Sequence, residues 1–316
     1  MMNIRRLLPL LLVWGGLLLM FQLWIAPVQA GRFVRPGNML DLSQQVSVNA
    51  MLAFGMTLVI LIGGIDLSVG AVTALAGVAA VAMIPRYGSG AAIVVGLAIG
   101  AGVGSINGAL AAWTKMPPFI ITLGTMMAAR GAALQFNENQ PLPVPLDADL
   151  FVALGNERFF DWLPMQVALM LAVFAGLFVL LHRTRFGQHL FAIGGNREAA
   201  RFTGIRVPRH DFLVYVLCGT LAGLAGIIQA SQLFSAIPSG GINFELNAIA
   251  AVVVGGTSFT GGIGSMPGTL LGAIIIGTLD KGLNQAGVHY SWQSVIKGAV
   301  ILAAVWFDVR RRFRKE

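Results

Sequence analysis

The chain has 316 residues, of which 56% are hydrophobic and 11% are charged, and its mean hydropathy is +0.79. Soluble domains carry about 25% charged residues, so this composition excludes a water-soluble globular protein. The net charge of +8 does not indicate nucleic-acid binding, because the basic residues lie in separate flanking segments rather than on one folded polar face.

Ten apolar runs follow one another along the chain. One membrane-spanning helix needs about 20 apolar residues, so ten of them leave short loops and no room for a second globular domain. We therefore predict an all-α integral membrane protein, with a single transmembrane domain over 1–316 and about ten transmembrane helices. The runs lie at 7–26, 44–63, 67–84, 91–113, 117–136, 165–181, 211–234, 244–260, 267–284 and 292–308.

The first run has two interpretations. Arg5 and Arg6 precede it and the small residue Ala30 follows it, which also fits a cleaved secretory signal. The run is long for a signal, and the chain continues with many more apolar segments. These features favour an uncleaved first helix.

Basic residues predict the orientation of the chain. With the N-terminus inside, 14 of the 21 Lys and Arg residues lie on the inner side and 4 lie in outer loops. The outer loop at 137–164 instead carries five acidic residues. The positive-inside rule therefore places both termini and the loop at 182–210 in the cytoplasm.

Two glycine-rich interruptions divide the apolar segments, at 63–70 and at 255–265. Irregular backbone at membrane depth survives only where protein or a wet cavity surrounds it. We therefore predict two Gly-broken half-helix regions of the kind from which transporters build a substrate path. Neither stretch has the Gly-Lys-Ser/Thr ending of a nucleotide-binding loop, so no cofactor is expected on this chain.

A weak internal repeat relates the two interruptions. Shifting 49–70 by 198 residues aligns seven identical residues, and in both copies an Asn-Ala pair stands 14 residues before a Gly-Gly-Ile break. The seven identities could also arise by chance, because Gly and Ala are abundant in this chain. Corresponding interrupted segments in two halves point to a binding region. The candidate path residues are Asn49, Asp66, Ser68, Thr122, Asn247 and Thr257.

Asp66 has two interpretations. A carboxylate within a spanning segment is costly and suggests function, and it could accept hydrogen bonds from sugar hydroxyls. It could equally cap the half-helix that restarts at Leu67. Other polar residues in the spans can simply join helices to each other. The sequence shows no metal-ligand cluster and no nucleophile–base set, so no catalytic residue and no metal are expected.

The loop at 182–210 predicts a short exposed helix. Asn196 can cap it, Arg197 to Thr203 can form two turns, and Gly204 can end it. A helix in this position could dock a cytoplasmic partner. The alternative is a basic loop that lies on anionic lipid headgroups.

Several motifs together carry a resemblance to a known family. Glu198-Ala199-Ala200 followed by Gly204 is similar to the signature of permease subunits in ABC importers. Over 38–308 the chain resembles the ribose/xylose/galactose-type sugar permeases, and it also resembles galactofuranose-type members, so the sugar stays open. The motifs are Gly64-Ile65-Asp66-Leu67-Ser68-Val69-Gly70, Phe119-Ile120-Ile121-Thr122-Leu123, Ala192-Ile193-Gly194-Gly195-Asn196 and the run at 255–264.

This resemblance implies a non-enzymatic permease subunit of a binding-protein-dependent importer in the bacterial inner membrane. ATP would be hydrolysed on partner ATPase subunits, and the other partners would be a periplasmic sugar-binding protein, a second permease copy or paralogue, and membrane lipid. The segment 196–204 would be the coupling helix in a groove of the ATPase. Charged side chains would make its polar contacts, and two alanines would allow close approach. The implied coupling residues are Asn196, Arg197, Glu198, Ala199, Ala200, Arg201 and Gly204.

Two other functions stay open. Permeases for branched-chain amino acids share remote architecture, although the Gly-Ile-Asp-Leu-Ser-Val-Gly motif is typical of sugar permeases. A secondary transporter or channel that works alone would not need a coupling helix.

Overall fold

The structure is a computed structural model that describes residues 7–25 and 33–313. The basic flank at 5–6, the alternative cleavage site at 28–30 and the end of the tail at 314–316 lie outside the described residues. The described part contains the α-helices α1 Leu8–Ile25, α2 Pro36–Leu61, α3 Val69–Trp113, α4 Pro118–Gln135, α5 Asp149–Asn156, α6 Met165–Arg183, α7 Arg185–Gly195, α8 Arg197–Phe202, α9 Val207–Gln232, α10 Phe244–Val254, α11 Met266–Gln285 and α12 Tyr290–Phe313.

The fold is that of an all-α membrane protein. Six helices are long and apolar enough to cross a bilayer within the described ranges, namely α1, α2, α3, α6 and α9 together with the span Pro118–Asn139, which contains α4. α10 is apolar but has only 11 residues.

α3 joins two of the predicted spans. A straight helix of its 45 residues would be about 68 Å long, roughly twice the thickness of a bilayer core. Gly88 has a non-helical conformation with a φ of +76° and divides the helix. Because of this break, both halves pack on α9: Gly77 lies against Gly226, and Gly100 lies against Gly219.

Glycines allow the backbones of α3 and α9 to pack closely. A Cβ atom added at Gly100 would lie 2.3 Å from the carbonyl oxygen of Gly219, and one added at Gly104 would lie 2.4 Å from that of Tyr215. Small residues at such crossings are typical of membrane helices.

α2 lies at the centre of the bundle, because almost every residue from Val46 to Leu61 is buried on all faces.

The outer loop predicted at 137–164 carries α5 and three of four short strands. β1 (Leu142–Pro143) pairs with β4 (Ser235–Ala236), which follows α9, and β2 (Arg158–Phe159) pairs with β3 (Leu163–Pro164). This pairing places the end of α9 beside the outer loop.

The segment between α9 and α10 returns into the bundle instead of remaining an outer loop. Arg130 donates hydrogen bonds to the carbonyl oxygens of Pro238, at 3.2 Å, and of Gly240. The backbone of Gly241 then lies against Gly70, in the first turn of α3. α10 therefore starts inside the bundle.

The predicted span at 244–260 is longer than the helix that forms, because α10 ends at Val254. Gly256, Gly261 and Gly262 all have positive φ angles, between +74° and +87°, which end a helix although the sequence remains apolar.

Candidate coupling surface and translocation path

The candidate coupling segment forms as its sequence predicts. The side chain of Asn196 accepts a hydrogen bond from the backbone N–H of Ala199 at 2.9 Å and caps α8. Gly204 has a φ of +84° and ends the turn, and the N–H of Ile205 returns to the carbonyl of Ala200. Local capping chemistry thus defines both ends of this short helix.

One face of α8 is exposed. Glu198, Ala199 and Arg201 are exposed, whereas Ala200 is buried against the rest of the chain. Phe202 is 91% exposed, which is unusual for an aromatic side chain at a helix end. Phe202 was not predicted as a site residue, although it stands between Arg201 and Thr203 in the polar part of the loop.

Arg197 connects α8 to two other parts of the chain. Its guanidinium donates to both carboxylate oxygens of Asp211 in α9, at 2.7 and 3.2 Å. It also donates to the carbonyl oxygen of Ile62, just after α2, at 3.2 Å. Asp211 is only 5% exposed and was not predicted as a site residue. The candidate coupling helix is therefore tied directly to the first glycine-rich interruption.

We call the contact of Arg197 with Asp211 and Ile62 the Arg197 clamp. Three glycine pairs meet beside it. The N–H of Gly262 donates to the carbonyl oxygen of Leu61 at 2.9 Å. A Cβ added at Gly194 would lie 1.9 Å from that oxygen and 2.4 Å from the nitrogen of Gly262. A Cβ at Gly261 would lie 3.1 Å from the nitrogen of Gly63. We call the contact of 63–64, 194–195 and 261–262 the glycine junction.

Asp66, Ser68 and Thr122 belong to one buried polar network. Asp66 Oδ1 accepts the backbone N–H of Ser68 at 2.9 Å and its hydroxyl at 2.6 Å. Asn107 donates to the Ser68 hydroxyl at 2.9 Å, and the Thr125 hydroxyl donates to Asn107 at 2.7 Å. The network therefore connects the start of α3 with the part of α3 that follows Gly88, and with α4.

This network is closed to solvent in the described conformation. Thr122 extends it, because its hydroxyl donates to the carbonyl of Ile65 at 3.2 Å. Asp66 and Thr122 are 0% exposed, and Ser68 is 1% exposed. Asp66 thus holds the turn before α3, while its second oxygen, Oδ2, has no hydrogen-bond partner among the described residues.

The remaining predicted path residues form two separate groups, one near the start of α10 and one beyond its end. Asn49 of α2 and Asn247 of α10 line the same cavity. Thr257 lies beyond the other end of α10, where it is 1% exposed and packs against Gly264. The structure therefore brings the two asparagines of the predicted repeat together, and it brings the two Gly-Gly-Ile breaks together at the glycine junction.

The six long apolar helices define a multi-pass membrane protein. The family described as "Branched-chain amino acid transport system / permease component" matches residues 38–305, and the chain belongs to this family.

Several relatives are named as permeases for sugars. The chain is 47% identical to the ribose import permease protein of Bacillus subtilis (strain 168), over 88% of this chain and 87% of the relative. It is 43% identical to the ribose import permease protein of Escherichia coli (strain K12), over 89% and 88%. The D-allose transport system permease protein of Escherichia coli (strain K12) is 38% identical, over 87% and 84%. The resemblance drawn from the motifs is confirmed. No solved structure matches the chain.

Proposed function

We propose that the chain is the membrane-spanning permease subunit of a binding-protein-dependent ABC importer and that it moves a monosaccharide across the bacterial inner membrane. The observation that carries this proposal is the Arg197 clamp. The clamp joins α8, an exposed helix on which a partner could dock, to the end of α2, the buried central helix. An ATPase that docks on α8 would need such a connection in order to move α2.

The clamp suggests how force would reach the membrane segments. Arg197 holds both Asp211 at the start of α9 and the carbonyl of Ile62 after α2. Displacement of α8 by an ATPase would therefore move the adjacent ends of α2 and α9 together. At the glycine junction, direct backbone contact leaves no side chain to absorb the motion.

The exposed face of α8 suits an ATPase groove. Glu198 and Arg201 would make polar contacts and Phe202 would fill an apolar pocket, because buried aromatic and arginine side chains dominate protein interfaces. The partners of this proposal are ATPase subunits that carry the ATP site, a periplasmic binding protein, a second permease and lipid. The chain itself would have no enzymatic activity.

The proposed topology has about ten spans and cytoplasmic termini. α3 contributes two spans because Gly88 divides it, and α10 contributes a half-span. The loop that contains α7 and α8 would face the cytoplasm with six basic residues. Thiol labelling of introduced cysteines at Arg201 and Glu157 would test this orientation; we expect inner labelling at the first position and outer labelling at the second.

A monosaccharide is the preferred substrate class because relatives at 38–47% identity are named as ribose and allose permeases. The second candidate is a branched-chain amino acid, which appears in the description of the matching family. Uptake of labelled D-ribose into vesicles that contain all subunits would decide, with unlabelled D-allose, D-xylose and L-leucine as competitors. We expect the sugars to compete and leucine to have no effect.

Glu198→Lys tests the coupling role in the same vesicles. Because Glu198 is exposed, the reversed charge should leave membrane insertion intact and abolish the sugar-dependent stimulation of ATPase activity. Normal stimulation in this variant would remove the docking role from α8.

A further inference from the structure

A cavity of about 300 Å³ lies between α2, α9, α10 and α11. Small-molecule sites in proteins have volumes of about 300–1,000 Å³, so this cavity is large enough for one small solute. Gln229, near the outer end of α9, lines it, whereas Asp211 of the clamp lies near the inner end. At 1.5 Å per residue, these two positions are about 27 Å apart along the helix. The cavity therefore lies at the end of the bundle away from α8.

Side-chain amides dominate the polar lining of the cavity. They come from three helices and are Gln45, Asn49, Gln229, Gln232 and Asn247. The side-chain oxygen of Asn49, Oδ1, is buried and makes no hydrogen bond to any described residue. A buried polar atom without a partner is unfavourable, and in native structures such atoms usually bind water or a ligand. Asn49 thus holds hydrogen-bonding capacity that the described residues do not use.

The charge and shape of the lining define a class of solute. Its acidic residue, Asp280, is paired with Lys297 of α12 at 3.3 Å, so the lining offers no isolated charge to a charged solute. A side-chain amide has both a donor and an acceptor, and a hydroxyl group can hydrogen-bond to either, because it donates and accepts. Phe244 and Val48 add apolar surface beside them. This combination fits a neutral, polyhydroxylated molecule.

We propose that this cavity is the solute-holding site of the permease and that it binds a neutral monosaccharide through Asn49, Asn247 and Gln229. The proposal rests on the function proposed above and deepens it. Asn49 and Asn247 occupy equivalent positions in the internal repeat, so α2 and α10 each present one amide to the solute. The site lies on the side where a binding protein would deliver its sugar.

Cysteine protection tests the proposal in the assembled transporter. Cys218 is the only cysteine and is buried, so Cys218→Ala provides a silent background. In this background, Gln45→Cys and Phe244→Cys place a thiol in the cavity beside the proposed ligands, and Gln232→Cys places an independent reporter on α9. Asn284→Cys is the matched control, because Asn284 is an exposed amide on α11 outside the lining.

The expected result is protection by sugar. With D-ribose delivered at about ten times its Kd, occupancy should slow labelling of the three cavity positions about tenfold, and labelling at the control position should not change. L-leucine should give no protection. If D-ribose is transported but protects none of the cavity positions, the proposed site is wrong. Protection by leucine in place of ribose would overturn the solute class. If the unmodified transporter moves no sugar, the proposed function itself fails, which is a separate outcome.

Discussion

Replacing Arg197 by alanine removes the clamp between α8, α9 and the end of α2. Breaking a fully buried ion pair by deleting one partner costs about 3–5 kcal/mol. Arg197 is 41% exposed and Asp211 is 5% exposed, so solvent screens part of the interaction. We therefore expect a loss of about 1–3 kcal/mol in the coupling between α8 and the membrane segments, since screened pairs contribute less than buried ones.

This loss has a measurable consequence for transport. A coupling free energy of 1–3 kcal/mol corresponds to roughly a 5–150-fold change in an equilibrium. Arg197→Ala should still bind the ATPase through the exposed face of α8, yet sugar-stimulated ATPase activity and uptake should fall by roughly this factor. The assay is ATPase activity and D-ribose uptake in vesicles. Arg209→Ala is the control, because Arg209 is an exposed basic residue of the same loop.

A charge exchange separates a specific clamp from a general loss of stability. Arg197→Asp combined with Asp211→Arg restores an ion pair between α8 and α9, and it should recover part of the lost stimulation. A separate double-mutant cycle with Arg197→Ala and Asp211→Ala gives the interaction energy, because these changes remove the pair without creating a like-charge contact. Full stimulation in Arg197→Ala, or an interaction energy of zero in the cycle, would refute the clamp as the transmitting connection.

The remaining predictions concern the docking face, the glycine junction and the buried network. Phe202→Ala should leave the thermal stability of the permease unchanged, since the ring is 91% exposed, but should weaken ATPase co-purification by about 2 kcal/mol or more if it is an interface anchor; unchanged co-purification would exclude that role. Gly194→Ala should prevent stable assembly because its Cβ would lie 1.9 Å from the carbonyl oxygen of Leu61, whereas Gly195→Ala, with nothing within 4 Å, should behave as wild type in a thermal-shift assay; equal stability of the two variants would contradict the junction. Asp66→Asn should assemble normally and slow D-ribose uptake, and unchanged uptake would leave Asp66 with only its capping role.

The parts of the site that depend on local chemistry could be predicted from sequence. Asn196 and Gly204 lie at the ends of one short helix, and capping requires only neighbouring backbone groups. The partners of Arg197 could not be predicted, because Ile62 is 135 residues away and Asp211 is brought close only by the turn between α8 and α9.

Helix ends illustrate the same limit. An apolar run marks where a segment can be buried but not where its helix stops, so the run at 244–260 did not reveal that α10 ends at Val254. Conversely, the break between the runs at 67–84 and 91–113 is real but is only one residue wide, at Gly88. Glycine can adopt positive φ angles without strain, and the packing around each glycine decides which of them does so.

The internal repeat stays a prediction, but the structure places its two copies beside each other. Asn49 and Asn247 line one cavity, and Leu61 and Gly262 are hydrogen-bonded near the other end of the same two segments. α2 and α10 therefore run side by side in the same direction. Seven identities within a chain rich in Gly and Ala could not show this without the spatial contacts.

The central claim is that this permease moves its solute only when a separate ATPase drives it through α8. The most direct measurement compares D-ribose uptake by vesicles that contain the purified chain alone with uptake by vesicles that also contain the ATPase, ATP and the binding protein. We expect uptake above background only in the complete system. Saturable uptake of D-ribose by the chain alone would contradict the claim.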